Sequence, residues 1–142
     1  MSKTHSRFVT FTYNSQAITC SITNVTGIGI SYEEVDVTTL CNAIMEAIHG
    51  HGQVAIDASG PFNNTATTGA HVVIEPLNGD NTGATLTIAI GDNAAPTTGD
   101  PEFEVTNMGV FNYLVQAGGG AVTSSWQWRP LPGVTAAWGT VS

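Results

Sequence analysis

Positive charge is almost missing from this chain. Lys3, Arg7 and Arg129 are its only strong bases among 142 residues, against eleven Asp and Glu, for a formal net charge of −8. A surface that gains affinity by neutralising phosphates needs clustered Lys and Arg. Three scattered bases exclude specific nucleic-acid binding and attraction to anionic membranes, whereas a wall past which DNA slides without sticking wants this sign of charge. Cysteine is scarce too. Cys20 and Cys41 are too few for a disulfide framework, and beside enough apolar residues for a core they are expected unpaired and buried. No run of eighteen apolar residues occurs, and MSKTHSRFVTF lacks the apolar stretch of a signal peptide. The expectation is a product made in the cytosol with no membrane span.

Catalytic patterns are lacking as well. Ala58-Ser59-Gly60 does not match a nucleophile elbow, neither cysteine has a catalytic signature around it, and QAGGGA has no Lys to make a phosphate cradle. His49-Gly-His51 has only His5 and His71 to complete a metal set, at no motif spacing. A non-enzymatic protein with no metal and no cofactor is expected.

What the chain has is strand pattern. Apolar residues make up 42% of it and charged ones 10%, enough for one folded domain over residues 1–142. Phe8 to Tyr13 alternates faces, Asn14 and Ser15 turn the chain, and ITCSI returns, which reads as a hairpin. GIGISYEEVDV reads as a long bent strand. From about Thr39 to His49, Leu40, Cys41, Ile44, Ala47 and Ile48 fall on one helical stripe, with a Thr to cap it and Gly50 to end it, so a short helix is predicted there. Further strands are predicted at Val54 to Ala58, His71 to Glu75, Thr85 to Ile90, Phe103 to Val105, Met108 to Gln116 and Val122 to Trp128. An extended tail from about residue 129 to 142 follows Pro130 and Pro132. The fold class is therefore mainly β, an antiparallel sandwich or small barrel with one short α-helix packed on it. Its edge strands suit it to joining with copies of itself.

Two acidic groups stand out: Glu33, Glu34 and Asp36, and the alternating Asp100, Glu102 and Glu104, which share a face if extended. Neither has calcium-loop spacing, so each reads as a solvated face or an acidic lining. Trp126 and Trp128 point the same way on the last strand, toward the core, a neighbouring subunit or a stacked sugar. Trp138 in the tail and Phe62 in the loop Ser59 to Ala70 are further candidate subunit contacts.

The stretch Ile28-Gly-Ile-Ser-Tyr-Glu-Glu-Val-Asp-Val-Thr-Thr-Leu40, followed later by Gly52-Gln-Val-Ala-Ile-Asp-Ala-Ser-Gly60, resembles the major tail tube proteins of long-tailed phages. Val35, Asp36, Val37, Thr38 and Leu40 match the family's VDVT-x-L element, and the closing Ala136-Ala-Trp-Gly-Thr-Val141 is similar to its C-terminus. The match covers residues 18 to 60, and the rest by strand order. It departs in the apolar CNAIMEAIHG that follows the element. The resemblance implies hexameric rings joined through their sheets and stacked into a tube in a virion assembled in the bacterial cytoplasm, with one of the acidic groups lining the lumen. A capsid decoration protein, gripping its neighbours through the Ser59 to Ala70 loop and both ends, is the alternative structural reading. A glycan-binding module with Trp126 or Trp128 as a stacking platform is the third. The expected partners are copies of itself and other virion proteins.

Overall fold

A computed structural model of the protein describes residues 6–92 and 94–142; Lys3 and His5 lie outside them. The described chain runs β1 (Val9–Tyr13), β2 (Gln16–Ala17), β3 (Asn24–Thr26), β4 (Ser31–Asp36), β5 (Ala47–Gln53), β6 (Ile56–Pro61), α1 (Ala70–Ile74), β7 (Ala84–Ile90), β8 (Pro101–Gln116), β9 (Thr123–Pro130) and β10 (Ala136–Thr140). It is a mainly β protein of antiparallel strands with one short α-helix, as the strand pattern implied.

Seven strands form one antiparallel sheet in the order β2-β1-β7-β8-β9-β6-β3, and β10 joins it as the eighth by pairing with β8. The sixteen-residue β8 holds it together. Its first part pairs with β7 on one side and β10 on the other, and its second part pairs with β9. The two strands expected at Phe103 to Val105 and Met108 to Gln116 are this single strand. Asn107 and Asn112 interrupt its alternation at positive φ, 54° and 56°. Asn tolerates this conformation better than most residues. The register with β9 shifts between Phe111 and Leu114, as bulges do where a sheet bends.

The sheet curls over its own inner face. Tyr13 on β1 stacks against Trp128 on β9, three strands away, with ring centroids 5.6 Å apart, and the Tyr13 hydroxyl donates to the Met108 carbonyl at 2.7 Å. Residues 18–23 then tie the two ends of the sheet together. The Ile18 N–H donates to the Phe11 carbonyl on β1, and the Thr23 N–H to the Ser59 carbonyl on β6. A Cβ on Gly60 would come within 2.1 Å of the Ser21 carbonyl, so only glycine lets this segment lie across β6. The result is an incomplete barrel around one core.

Several sequence expectations are corrected here. His71 to Glu75, expected as a strand, instead lie in α1 and the 3-10 turn Glu75–Leu77 that follows it: Ala70, Val73 and Ile74 lie at i, i+3 and i+4 and are all buried in the core cluster. Burying that stripe outweighs the β preference of the Val-Val-Ile run. The buried Ser21 hydroxyl accepts from the Ala70 N–H at 3.1 Å and from the Asn63 amide at 3.0 Å, anchoring the helix to the tied segment. Conversely, no helix forms at Thr39 to His49; those residues belong to a hairpin described below. ITCSI does not return as a strand: the return is the two-residue β2 just before it, and Thr19–Ser21 forms a 3-10 turn, while Val54 to Ala58 shifts to β6. Both cysteines are unpaired but exposed, not buried. The chain after Pro130 turns at residues 131–134 and then runs back as β10 along β8.

Trp126 and Trp128 are 1% and 0% exposed. Alternate residues of β9 point inward, and these two fill the middle of the barrel, meeting edge to face at 81° with centroids 5.6 Å apart. This corrects their expected roles as subunit contacts or as a sugar platform, because neither ring has surface to offer. Substituting Trp128→Ala is expected to cost about 3 to 5 kcal/mol. Burial pushes the Tyr13 phenol well above the usual tyrosine range. Its contribution to stability is therefore complete below the ordinary value near 10 and is lost as pH rises through the folded value. Denaturant titrations at pH 8 and pH 11 should show a stability loss that Tyr13→Phe reduces. At pH 8 the same substitution should cost about 1 to 3 kcal/mol by stranding the Met108 carbonyl.

Candidate assembly surfaces

β4 and β5 make a separate two-stranded sheet, a hairpin running from Ser31 to Gln53. Its turn is built by short polar side chains. The Val37 N–H donates to the Glu46 carbonyl at 3.0 Å, the Thr38 hydroxyl accepts from the Glu46 N–H at 2.7 Å, and Asn42 Oδ1 accepts from the Thr39 N–H at 2.7 Å. Asp36 Oδ1 accepts from the Thr38 N–H at 2.8 Å. Such local bonds compete directly with helix formation. An isolated short helix also needs a surface for its apolar stripe, and none lies beside this segment. The threonines read as helix caps hold a turn instead, and His49 and His51 lie on a strand.

The stripe that suggested a helix is thus left in solvent. Leu40 is 107% exposed, Ile44 79% and Met45 79%, with Val37, Ile48 and Tyr32 also exposed. Single exposed apolar residues are ordinary, but Leu40, Ile44 and Met45 all fall in the hairpin turn, which makes the tip a candidate contact surface. Cys41 sits within it.

The acidic residues divide among three places. Tyr32, Glu34 and Asp36 share one face of the hairpin by strand alternation, with His49 opposite Glu34 and its ring 5.6 Å from Tyr32. Glu33 lies on the other face with Val35. Glu102 and Glu104 project from the outer face of β8, in two cross-strand rows: Thr10, Ala89, Glu102 and Gly139, and Thr12, Thr87, Glu104 and Ala137. These rows hold small residues and no base. Asp100 is not part of this face; it precedes β8, where its Oδ2 accepts from the Thr97 N–H at 2.8 Å. Among the described residues no three His, Cys, Asp or Glu come together as a metal-binding set.

Open strand edges supply the other possible contacts. β10 pairs on one side only, with β8, and Trp138 on it is 49% exposed while stacking on Phe103 at 5.0 Å. Unpaired edges of this kind template pairing with another chain. Phe62 is half-buried against His71 at 5.0 Å, and the His71 Nδ1 lies 3.1 Å from the Tyr113 hydroxyl, so Phe62 serves to hold α1 down. Sequence pattern located the acidic groups and Trp138. It missed the apolar hairpin tip, whose one signal was the absence of any neighbouring element able to cover a helix there.

This architecture is a tail-tube-like fold, the fold of tube and tube-cap proteins in phage-like contractile injection systems. The structure matches a chain of the sheath-tube complex of the extracellular contractile injection system PVC in its extended state, with a TM-score of 0.70 at 11% identity over 98% of this chain and 93% of that one. It also matches the cap that terminates the tube of the anti-feeding prophage, with a TM-score of 0.68 at 10% identity over 98% and 93%. No family model and no curated protein sequence matches the chain.

Thr38, whose hydroxyl lies beside the Asp36 carboxyl and whose backbone N–H donates to it, holds that carboxyl below the usual carboxylate range. The support this gives the turn is present above the ordinary value of 3.8 and is lost as pH falls through the lowered one. An NMR titration should place Asp36 below 3.8, and Thr38→Val should move it up toward that value.

Proposed function

We propose that this chain is a non-enzymatic tube subunit of a phage tail or phage-like particle, assembling with its own copies into stacked rings. The observation that carries the reading is the hairpin from Ser31 to Gln53, which holds Leu40, Ile44 and Met45 in solvent. Exposed apolar surface on that scale costs solubility unless another molecule covers it. The open edge of β10, with Trp138 on it, supports joining of sheets between neighbours. The likeness to injection-system tube and cap proteins over 98% of the chain supports the same reading.

Within such a ring, the outer face of β1, β7, β8 and β10 is the best candidate for the lumen. Glu102 and Glu104 stand there among threonine, alanine and glycine, without a base, and such a wall repels a passing polyanion. Glu33, Glu34 and Asp36 belong to the hairpin, so they act at subunit contacts rather than along the channel.

Negative-stain microscopy of the purified chain at rising concentration should show rings or tubes. Replacing residues 37–46 by Asn-Gly should leave the circular dichroism of the barrel unchanged and leave the protein monomeric. A wild type that stays monomeric, or trimers that bind empty capsids, would overturn the tube reading; the second result would favour decoration.

A further inference from the structure

The chain has three methionines, and the two that the structure describes sit in opposite surroundings. Met108 is fully buried in the barrel core, where dissolved oxidants do not reach its sulfur. Met45 stands in the hairpin turn with 79% of its surface in solvent, in the same turn as the exposed Leu40 and Ile44. Its thioether is open to oxidation, which turns a flexible apolar side chain into a polar one.

The backbone around Met45 is held by groups other than its side chain. The carbonyl of the next residue, Glu46, accepts from the Val37 N–H at 3.0 Å, and its N–H donates to the Thr38 hydroxyl at 2.7 Å. Asn42 Oδ1 accepts from the Thr39 N–H at 2.7 Å and fixes the middle of the turn. Met45 therefore sets the surface character of the tip and contributes little to the fold. A change in its polarity alters what the tip offers another molecule and leaves the barrel as it was.

We infer that Met45 is an oxidative modification site that switches assembly off: hydrogen peroxide converts its thioether to a sulfoxide, and a chain so modified no longer joins its copies. This rests on the tube-subunit reading, in which another copy covers the tip. The sulfur lone pair attacks one peroxide oxygen, the O–O bond breaks, an S–O bond forms, and the second oxygen leaves as water. Sulfur is oxidised by two electrons and the peroxide is reduced by two. Covering the polar sulfoxide in an apolar contact strands a hydrogen-bond acceptor, a cost that the thioether does not carry. The switch acts on free subunits, because a covered tip excludes the oxidant. Methionine sulfoxide reductase with a dithiol reverses it.

Cys41 is exposed in the same turn and also reacts with peroxide. Excess thiol returns its sulfenic acid or disulfide to the thiol and leaves the sulfoxide in place, which separates the two sulfurs. Limited peroxide treatment of the dilute wild type, followed by such a thiol wash, gives a mixture of chains with and without Met45 sulfoxide. When the mixture is concentrated and sedimented, peptide mass spectrometry should find the Met45 sulfoxide fraction about tenfold or more higher in the supernatant than in the pellet. The circular dichroism of the oxidised monomer should be unchanged. Met45→Leu keeps an apolar side chain of similar volume, so it should assemble equally well before and after peroxide.

Equal sulfoxide fractions in pellet and supernatant would overturn the proposal and leave the tube reading standing. So would a Met45→Leu chain that loses assembly on peroxide treatment as fully as the wild type does, since the sensitive group would then lie elsewhere. A barrel that melts on oxidation would overturn it as well, by making the loss one of folding. An untreated wild type that stays monomeric would overturn both readings.

Discussion

The packing of Tyr13 against Trp128 sets the form of the molecule. These side chains start on strands separated by two others, and they meet only if the sheet rolls over on itself. Once it rolls, Trp126, Phe103, Leu86 and Ile88 share one dry interior. The Tyr13 hydroxyl then needs an acceptor inside, which the Met108 carbonyl supplies. The roll also dictates the connections. The ends of the sheet come near enough for residues 18–23 to bridge them, and the open end of the barrel is filled by the buried stripe of α1.

A core filled in this way leaves no place inside for residues 31–53. They pair with each other instead and leave the barrel as a hairpin whose apolar residues are left exposed among the described residues. The same incomplete closure leaves a seam between β1 and β3, lined by apolar and polar side chains alike, and an open edge on β10. The exposed apolar surface is thus a by-product of one packing solution: a barrel that almost closes, with part of its apolar surface left on the outside. The acid balance acts alongside this. With three bases against eleven carboxylates, the molecule as a whole repels polyanions.

Several elements were legible in the sequence because period two is a direct signature of a strand with one buried face. Phe8 to Tyr13, Thr85 to Ile90 and Val122 to Trp128 were read correctly to within two residues at either end, and the fold class followed from them. The failures came where periodicity says which residues share a face but not what faces them. Leu40, Ile44 and Ile48 do lie at helical spacing, yet Thr38, Thr39 and Asn42 close a turn and nothing lies beside the stripe. Val72, Val73 and Ile74 have strand preference, yet the barrel end needs a plug and Ser21 offers the hydrogen bond that seats it.

Of the candidate contacts, Trp138 kept an exposed ring, whereas Trp126 and Trp128 went inside. Spacing alone could not separate these outcomes, since all three lie on strands, and only the neighbour across the core differs. The sequence by itself determined the acidic sign of the molecule, the scarcity of bases and the run of strands, because charge and alternation are properties of residues in order. The tertiary structure decided which apolar faces were covered and which were left for another molecule, because burial depends on surfaces brought together from distant parts of the chain.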